Sequence, residues 1–348
     1  MINGSGGGEW QALAGGQCGV ISWQQLASSG LSANGVACLC KAGRIERLVR
    51  SVYGLPGWPP GWKRDLWIAL MSAGRDAVVS HRSAAALHEL DAFRPGRVEL
   101  SVPKRRRPRL TGVRHDHVYR VNGKWFDPSC QIQGLAVTSA TDTLLDLGSI
   151  VDTDRVERAV ECALRRELTS VLQLETARDL RGGGASNTLR DVLRRRAPGT
   201  APTESDAETL FLQLTRVAGL PDPERQFLVL LGGRRYRIDF VWPRRRFAVE
   251  VDGAETHANA DALGRDLRRQ NRIVMGWLLQ RYTWEDVAIY ADQVVEIVRD
   301  VWALLLAGPM PPSIWSPWDG DVPVVPRQRP GRGPVQGPRA GPRPTSSE

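Results

Sequence analysis

The sequence predicts an α/β chain of the α+β kind, divided into several parts, and three observations carry that reading. Its 348 residues exceed what one ordinary core encloses. Short helical and strand-like periodicities alternate along most of its length, with neither dominating. Proline- and glycine-rich interruptions then cut the pattern, at Ala197-Pro-Gly-Thr-Ala-Pro202 and from Gly308 onward. The expected parts are a helix-turn-helix with a wing at 9–55, a mixed α/β region at 62–196, a linker at 197–202, an α/β unit at 203–307 and a disordered Pro/Gly/Arg tail at 308–348.

Composition narrows the partners. Hydrophobic residues make up 42% of the chain, yet no apolar run approaches the ~18–20 residues of a membrane span. The glycine-rich start at 4–8 has neither a basic nor an apolar leader region, so no secretory signal is expected. The five cysteines are scattered, and Cys38-Leu-Cys40 lacks zinc-site spacing, which suits small buried thiols in a reducing cytoplasm. A net charge of +9 favours polyanionic partners, nucleic acid first.

From the amino terminus, 10–14, 23–28 and 36–42 have the lengths of short helices, the last two separated by a Gly30-containing turn and the third ended by Gly43. The stretch Arg44-Ile-Glu-Arg-Leu-Val-Arg-Ser-Val-Tyr53 alternates like a wing hairpin, with Arg44, Arg47 and Arg50 as candidates for phosphate contact. A small helical bundle serving protein contacts is the alternative. Next come a helix at 64–73, a strand at 77–80, a helix at 81–90 and a strand at 98–102 followed by a basic run to Arg109. Helices at 138–147, 154–166 and 188–196 complete the region. The charges of 154–158 have ordinary surface patterning. His81 and the pair His115/His117 lack a third ligand, and Ser80, His81 and Asp91 lack the setting of a nucleophile elbow.

Beyond the linker a helix is expected at 203–217, carrying Glu204 and Glu208, then strands at 226–231, 236–242 and 247–252. A helix at 259–275, a strand at 277–282 and a final helix opened by Thr283-Trp-Glu-Asp286 follow. If 243–246 is a hairpin turn, Trp242 pairs with Phe247, Phe240 with Val249 and Ile238 with Val251. Asp239 then lies opposite Glu250, with Asp252 two residues further along that face. Facing like charges destabilise a strand pair unless a cation lies between them or a pKa rises. Mg²⁺ (or Mn²⁺), a hard ion that takes carboxylate oxygens, suits such a cradle. The competing reading puts all three acids on a solvated face against arginines, with Arg237 opposite Asp252.

The series Gly19-Val-Ile-Ser, Gly30-Leu-Ser, Gly43-Arg-Ile-Glu-Arg-Leu-Val-Arg-Ser-Val-Tyr, Ala77-Val-Val-Ser-His-Arg-Ser, Val98-Glu-Leu-Ser-Val-Pro and Val137-Thr-Ser-Ala-Thr-Asp-Thr-Leu-Leu-Asp resembles the AbiEi-type antitoxins over about 10–196. That resemblance implies a winged helix on operator DNA and, in a type IV toxin–antitoxin system, a partner toxin. Glu208, Gly219-Leu-Pro, Arg237-Ile-Asp-Phe, Val249-Glu-Val-Asp-Gly, His257, Asp266-Leu-Arg-Arg and Arg281-Tyr-Thr-Trp resemble a very-short-patch-repair-like endonuclease family of the PD-(D/E)XK group, over about 203–306. It implies a restriction-endonuclease-like domain, a small central sheet flanked by helices. It further implies metal-dependent phosphodiester hydrolysis, with Asp239, Glu250 and Glu208 holding the metal, His257 as general base or acid and Arg269 on the phosphate. The group's usual lysine, two positions after the second acid, is Asp252 here, an aspartate that the resembling family tolerates; the roles open to it are a second metal, the orientation of a water, or a structural one. The expectation is therefore a DNA-binding, Mg²⁺-dependent endonuclease or nickase, with a non-catalytic regulator or antitoxin as the alternative.

Overall fold

The computed structural model describes residues 8–105, 117–121, 130–181, 185–196, 200–231, 233–252 and 277–307. The chain is mixed α/β, with several small sheets and twelve α-helices among the described residues. No helix among them is long and apolar enough to cross a membrane.

The first part comprises α1 (Glu9–Gly16), β1 (Val20–Ser22), α2 (Trp23–Ser28), α3 (Ala33–Lys41), β2 (Glu46–Val49) and β3 (Val52–Gly54). Its antiparallel sheet has the order β1-β3-β2. Ser22 and Gln25 close a capping box on α2, and the Ser32 hydroxyl accepts from Gly35 N–H at the start of α3. Trp10, Ala14, Ile21, Leu26, Val36 and Ile45 form the core. Gly19 has φ +73, and a Cβ there would stand 2.5 Å from the Trp58 ring, so the turn into β1 requires glycine.

In the middle part α4 (Trp62–Ala73) covers a sheet in which β4 (Val78–Val79) runs antiparallel and β6 (His117–Val121) parallel to the central β5 (Glu99–Pro103). Between β4 and β5 lies α5 (His81–Leu87); a small hairpin, β7 (Gln131–Ile132) and β8 (Leu135–Ala136), leads to α6 (Ala140–Leu147), α7 (Thr153–Arg165), α8 (Val171–Arg181) and α9 (Ala185–Arg194). The sequence pattern did not suggest α8; only Leu174 of it is buried, so its apolar face is too thin to stand out.

The third part begins with α10 (Asp206–Val217), three residues later than expected because Ser205 is the cap, its hydroxyl accepting from Glu208 N–H. The strands β9 (Glu224–Leu231), β10 (Arg234–Trp242), β11 (Phe247–Asp252) and β12 (Leu278–Thr283) form one sheet in the order β12-β11-β10-β9, antiparallel except for the β11–β12 pair. A 3₁₀ turn at Pro243–Arg245 joins β10 to β11, and Arg246 closes it in the left-handed region, φ 47. Phe211 and Leu212 of α10 pack on Phe240, Phe247 and Val249 of the sheet. Where one last helix was expected there are two, α11 (Trp284–Ala288), opened by the Thr283–Asp286 capping box, and α12 (Ala291–Ala307).

The expected linker does not free the third part from the second. Arg196 donates to the Thr200 carbonyl at 2.8 Å, and Thr203, fully buried, donates its N–H to Glu161 at 3.1 Å. Glu161 also takes Arg196 and, at 3.1 Å, Arg225 of β9. Glu157, expected on a solvated face, is 1% exposed and bound by Arg216 of α10 at 2.7 Å. Arg158 reaches Asp206 through two bonds of 2.7 and 2.5 Å. This ionic seam fastens α7 to both ends of α10 and to the outer strand of the sheet.

Candidate functional site

The hairpin register matches the expectation where the apolar residues lie: Trp242 pairs with Phe247 and Phe240 with Val249. Beyond Phe240 the ladder between β10 and β11 stops, and Asp239 does not stand as the direct cross-strand partner of Glu250. Instead its Oδ2 accepts from the backbone N–H of Val251 at 2.9 Å, filling a place the ladder leaves open. On the other side of β10, Arg225 pairs with Phe240 and Phe227 with Ile238, and the ladder skips Gln226. Gln226 has φ 52, a left-handed conformation that costs a side-chain-bearing residue on the order of 1–3 kcal/mol.

Gln226 draws two acids together. Its Nε2 donates to Glu208 Oε2 at 3.0 Å and lies 3.5 Å from Asp239 Oδ1, so one amide serves both carboxylates. Glu208 is 5% exposed, and its other bonds come from Glu204 N–H at 2.9 Å and the Ser205 hydroxyl at 3.3 Å. Burial, and next the charge of Asp239, push the Glu208 carboxyl up to about 7.

The remaining acids part company with this pair. Glu250 is buried, with Arg281 Nε 4.0 Å from its Oε2. Asp252 is held by Arg281 Nη2 at 2.8 and 2.9 Å, not by Arg237, which instead reaches Glu204 at 2.6 Å. The parallel pairing of β11 with β12 sets Glu250 beside Arg281, and that pairing was invisible to a reading of the hairpin alone. Among the described residues no group of three or more His, Cys, Asp or Glu side chains is placed to hold a metal ion, so the three-acid cradle contracts to Glu208 and Asp239. Glu208 and Asp239 remain as a pair of carboxylates bridged by one amide, the Glu208 pKa raised by burial and next by its neighbour's charge. The expected contributions of His257 and Arg269 fall outside the described residues.

In the first part Arg44, Arg47 and Arg50 are all exposed; Arg47 lies in β2 opposite Tyr53, and Arg50 begins the tight turn to β3. Most of α3 is exposed as well, with Val36 its one buried residue. Such a helix beside a basic hairpin leaves a polar surface uncommitted to the core.

A second polar cluster lies inside the middle part. Ser80 Oγ bonds His81 Nδ1 at 2.9 Å and accepts from Ser101 at 2.8 Å; Asp146 Oδ2 lies 3.9 Å from the same ring nitrogen. A relay from carboxylate through imidazole to hydroxyl needs opposite ring nitrogens, so these three do not form one. Asp91, the acid the sequence offered for this set, is held by Arg165 at 2.6 Å. Burial lowers the His81 pKa to about 3 and raises that of Asp146 to about 6, so the imidazole is neutral.

No family model matches the chain. Two proteins of Mycobacterium tuberculosis, the uncharacterized proteins MT2308 (strain CDC 1551 / Oshkosh) and Rv2248 (strain ATCC 25618 / H37Rv), are each 27% identical over 224 residues, 64% of this chain and 77% of theirs. A crystal structure of the RV2827C protein from the same species aligns at 16% identity with a TM-score of 0.25, over 57% of this chain and 86% of that one. The chain is thus similar to mycobacterial proteins whose names state no activity.

Proposed function

We propose that the chain binds double-stranded DNA through its first part and hydrolyses phosphodiester bonds in its third, as a Mg²⁺- or Mn²⁺-dependent endonuclease or nickase. The observation that carries this is the Glu208–Asp239 pair, gathered by one amide on the outer strand of a four-stranded sheet. The helix–strand–strand–strand order of α10, β9, β10 and β11, closed by the parallel β12, supports reading 203–307 as an endonuclease-like domain. The β1-β3-β2 sheet behind an exposed α3 supports reading 9–55 as a winged helix-turn-helix, with Arg44, Arg47 and Arg50 on phosphates.

Glu208 and Asp239 are the residues that would hold the divalent ion, and Glu250 joins them only by leaving Arg281. When bound, such an ion supplies Lewis-acid polarisation of the phosphate and an activated water. Glu208, fixed by Glu204 N–H, and Asp239, fixed by Val251 N–H, orient their oxygens before any ligand arrives. Incubation of the full chain with Mg²⁺ or Mn²⁺ and plain, nicked and mismatched duplexes tests this. Cleavage that is lost in Asp239→Ala and survives in Arg47→Ala is the expected result; no cleavage of any substrate defeats it.

One observation favours a second reading, a DNA-binding regulator or antitoxin, with a toxin as partner, whose third part no longer cuts. Arg281 spans Glu250 and Asp252, and Asp252 occupies the position of the wider nuclease group's usual lysine, so the centre holds no ammonium there. Specific DNA binding without metal uptake or cleavage is the outcome that reading requires.

A further inference from the structure

We propose that the cleft between the second and third parts binds a single strand of nucleic acid, with bases stacked on Trp284 and Trp62 and phosphates on Lys63, Arg94 and Arg155. The cleft shares no residue with the wing or with the acid pair, and binding there requires neither a metal ion nor cleavage. Three observations carry the inference.

The first is shape. The cleft encloses about 1180 Å³, more than the ~300–1,000 Å³ of a pocket that holds one small ligand. Its lining comes from the start of α4, the 89–95 loop after α5, and α7 in the second part, and from the starts of α10 and α11 in the third. The loop is fixed through its carbonyls. Arg166 donates to those of His88 and Glu89 at 2.5 and 3.0 Å, and Arg155 to that of Ala92 at 3.0 Å. A wall held in this way needs no ordering when a ligand arrives.

The second is charge. Every acid in the lining is already paired with an arginine: Glu89 with Arg166 at 3.1 Å, Asp91 with Arg165 at 2.6 Å and Asp206 with Arg158 at 2.5 Å. The lining cations Lys63, Arg94 and Arg155 have no carboxylate on their side chains among the described residues, and Lys63 and Arg94 are exposed. The uncompensated charge of the cleft is therefore positive, which suits a polyanion.

The third is a pair of indoles, one from each part. Trp284, the first residue of α11, is 38% exposed. Trp62 is half-buried, and its Nε1 donates to the Arg97 carbonyl at 3.2 Å, which sets the ring. Cations beside open aromatic faces are the chemistry of single-strand binding, because unpaired bases can stack on the rings while their phosphates meet the charges. A duplex offers its phosphates but keeps its base faces to itself, and an acidic peptide leaves the indoles without a partner. The lining reaches from Lys63, whose neighbour Arg64 binds Glu46 of β2 at 3.3 Å, to Asp206, two residues before Glu208. On the function proposed above, a strand released beside the acid pair lies there; the binding itself does not depend on that reading.

The test is fluorescence anisotropy of the full chain in EDTA, across a salt series, with a labelled oligothymidylate, a labelled blunt duplex and labelled poly-glutamate. The variants are Trp284→Ala, Trp284→Phe and Lys63→Ala combined with Arg94→Ala, with circular dichroism melting to show which are folded. Trp284→Ala is expected to weaken oligothymidylate binding about tenfold, to leave the duplex affinity unchanged, and to be largely rescued by Trp284→Phe. The double variant is expected to lower the slope of log strand affinity against log salt by about 1.4, about 0.7 for each phosphate contact. Both of its side chains are exposed, so it carries the test should Trp284→Ala fail to fold. Absence of oligothymidylate binding by the parent, parent-like binding by a folded Trp284→Ala, or an unchanged slope for the double variant overturns the proposal. A duplex affinity that falls as far as the strand affinity in Trp284→Ala overturns the choice of a single strand, and poly-glutamate held as tightly as the strand makes the occupant an acidic peptide instead. Cleavage by the acid pair stands or falls separately, since no arm of this assay contains a divalent ion.

Discussion

Glu208 shows how much a single buried acid can report. Its carboxyl is raised from 4.5 to about 7, so the folded chain holds that proton more tightly than the unfolded chain does. Stability is then lost as pH rises between those values, up to about 3 kcal/mol, and none of it is lost below the unfolded value. Glu208→Gln, which cannot ionise, is expected to be more stable than the parent at pH 8 by up to that amount and nearly equal to it at pH 4.5. Urea unfolding at both pH values checks this, and a difference independent of pH counts against the assignment. Asp252 presents a different case. Introducing the wider nuclease group's usual lysine by Asp252→Lys puts an ammonium beside Arg281, so a loss of about 1 kcal/mol is expected in the same assay, with no gain in cleavage. Asp239, Glu250 and Asp252 were legible in the sequence because alternation marks the polar face of a strand, whereas Glu208 entered only through the family resemblance. Gln226 was not legible, because nothing in a residue's identity announces a left-handed backbone inside a strand. Nor was Arg281, whose reach to Glu250 and Asp252 depends on a parallel pairing between segments far apart in the chain.

At the scale of elements, local rules succeeded where turn chemistry and apolar period agreed. The β10–β11 hairpin follows from Trp242 and Phe240 facing Phe247 and Val249, since a slip of one residue turns every one of these side chains to the other face. The cap at Thr283 and the helices either side of Gly30 follow from equally local chemistry. The start of α10 was misjudged because Thr203 and Glu204 have helical neighbours but take their partners outside the helix, on Glu161 and Arg237. The wing carries its own prediction. Arg44, Arg47 and Arg50 are exposed, so replacing any one by Ala is expected to leave the unfolding midpoint unchanged. Each that contacts a phosphate lowers the slope of log affinity against log salt by about 1. Fluorescence anisotropy with a labelled duplex across a salt series measures it, and an unchanged slope for all three removes the wing from the interface.

The molecule as a whole is held by charge where its sequence suggested a free joint. Proline and glycine at 197–202 gave the signature of a linker, while Glu157 looked like a surface charge, because sequence alone does not say which glutamates meet an arginine in the interior. Glu157 and Glu161 are each at most 1% exposed, and Arg196 and Arg225 around Glu161 are 6% and 5% exposed. Removing one partner of such a group strands the others: Glu161→Ala leaves two buried guanidiniums and is expected to cost about 3–5 kcal/mol. Replacing all three at once, Glu161→Met with Arg196→Leu and Arg225→Met, removes the desolvation cost with the attraction and is expected to recover most of that loss. Differential scanning calorimetry distinguishes a structural seam from a decorative one. The parent is expected to melt its second and third parts in one transition, and Glu161→Ala in two, the lower belonging to the part that carries Glu208. If Glu161→Ala melts as the parent does, the seam does not couple the parts. If coupling holds, α10 and its Glu208 move with α7 as one body. On the proposed function, an acid pair carried on such a body would make any cleavage fall at a fixed offset from whatever DNA the rest of that body binds.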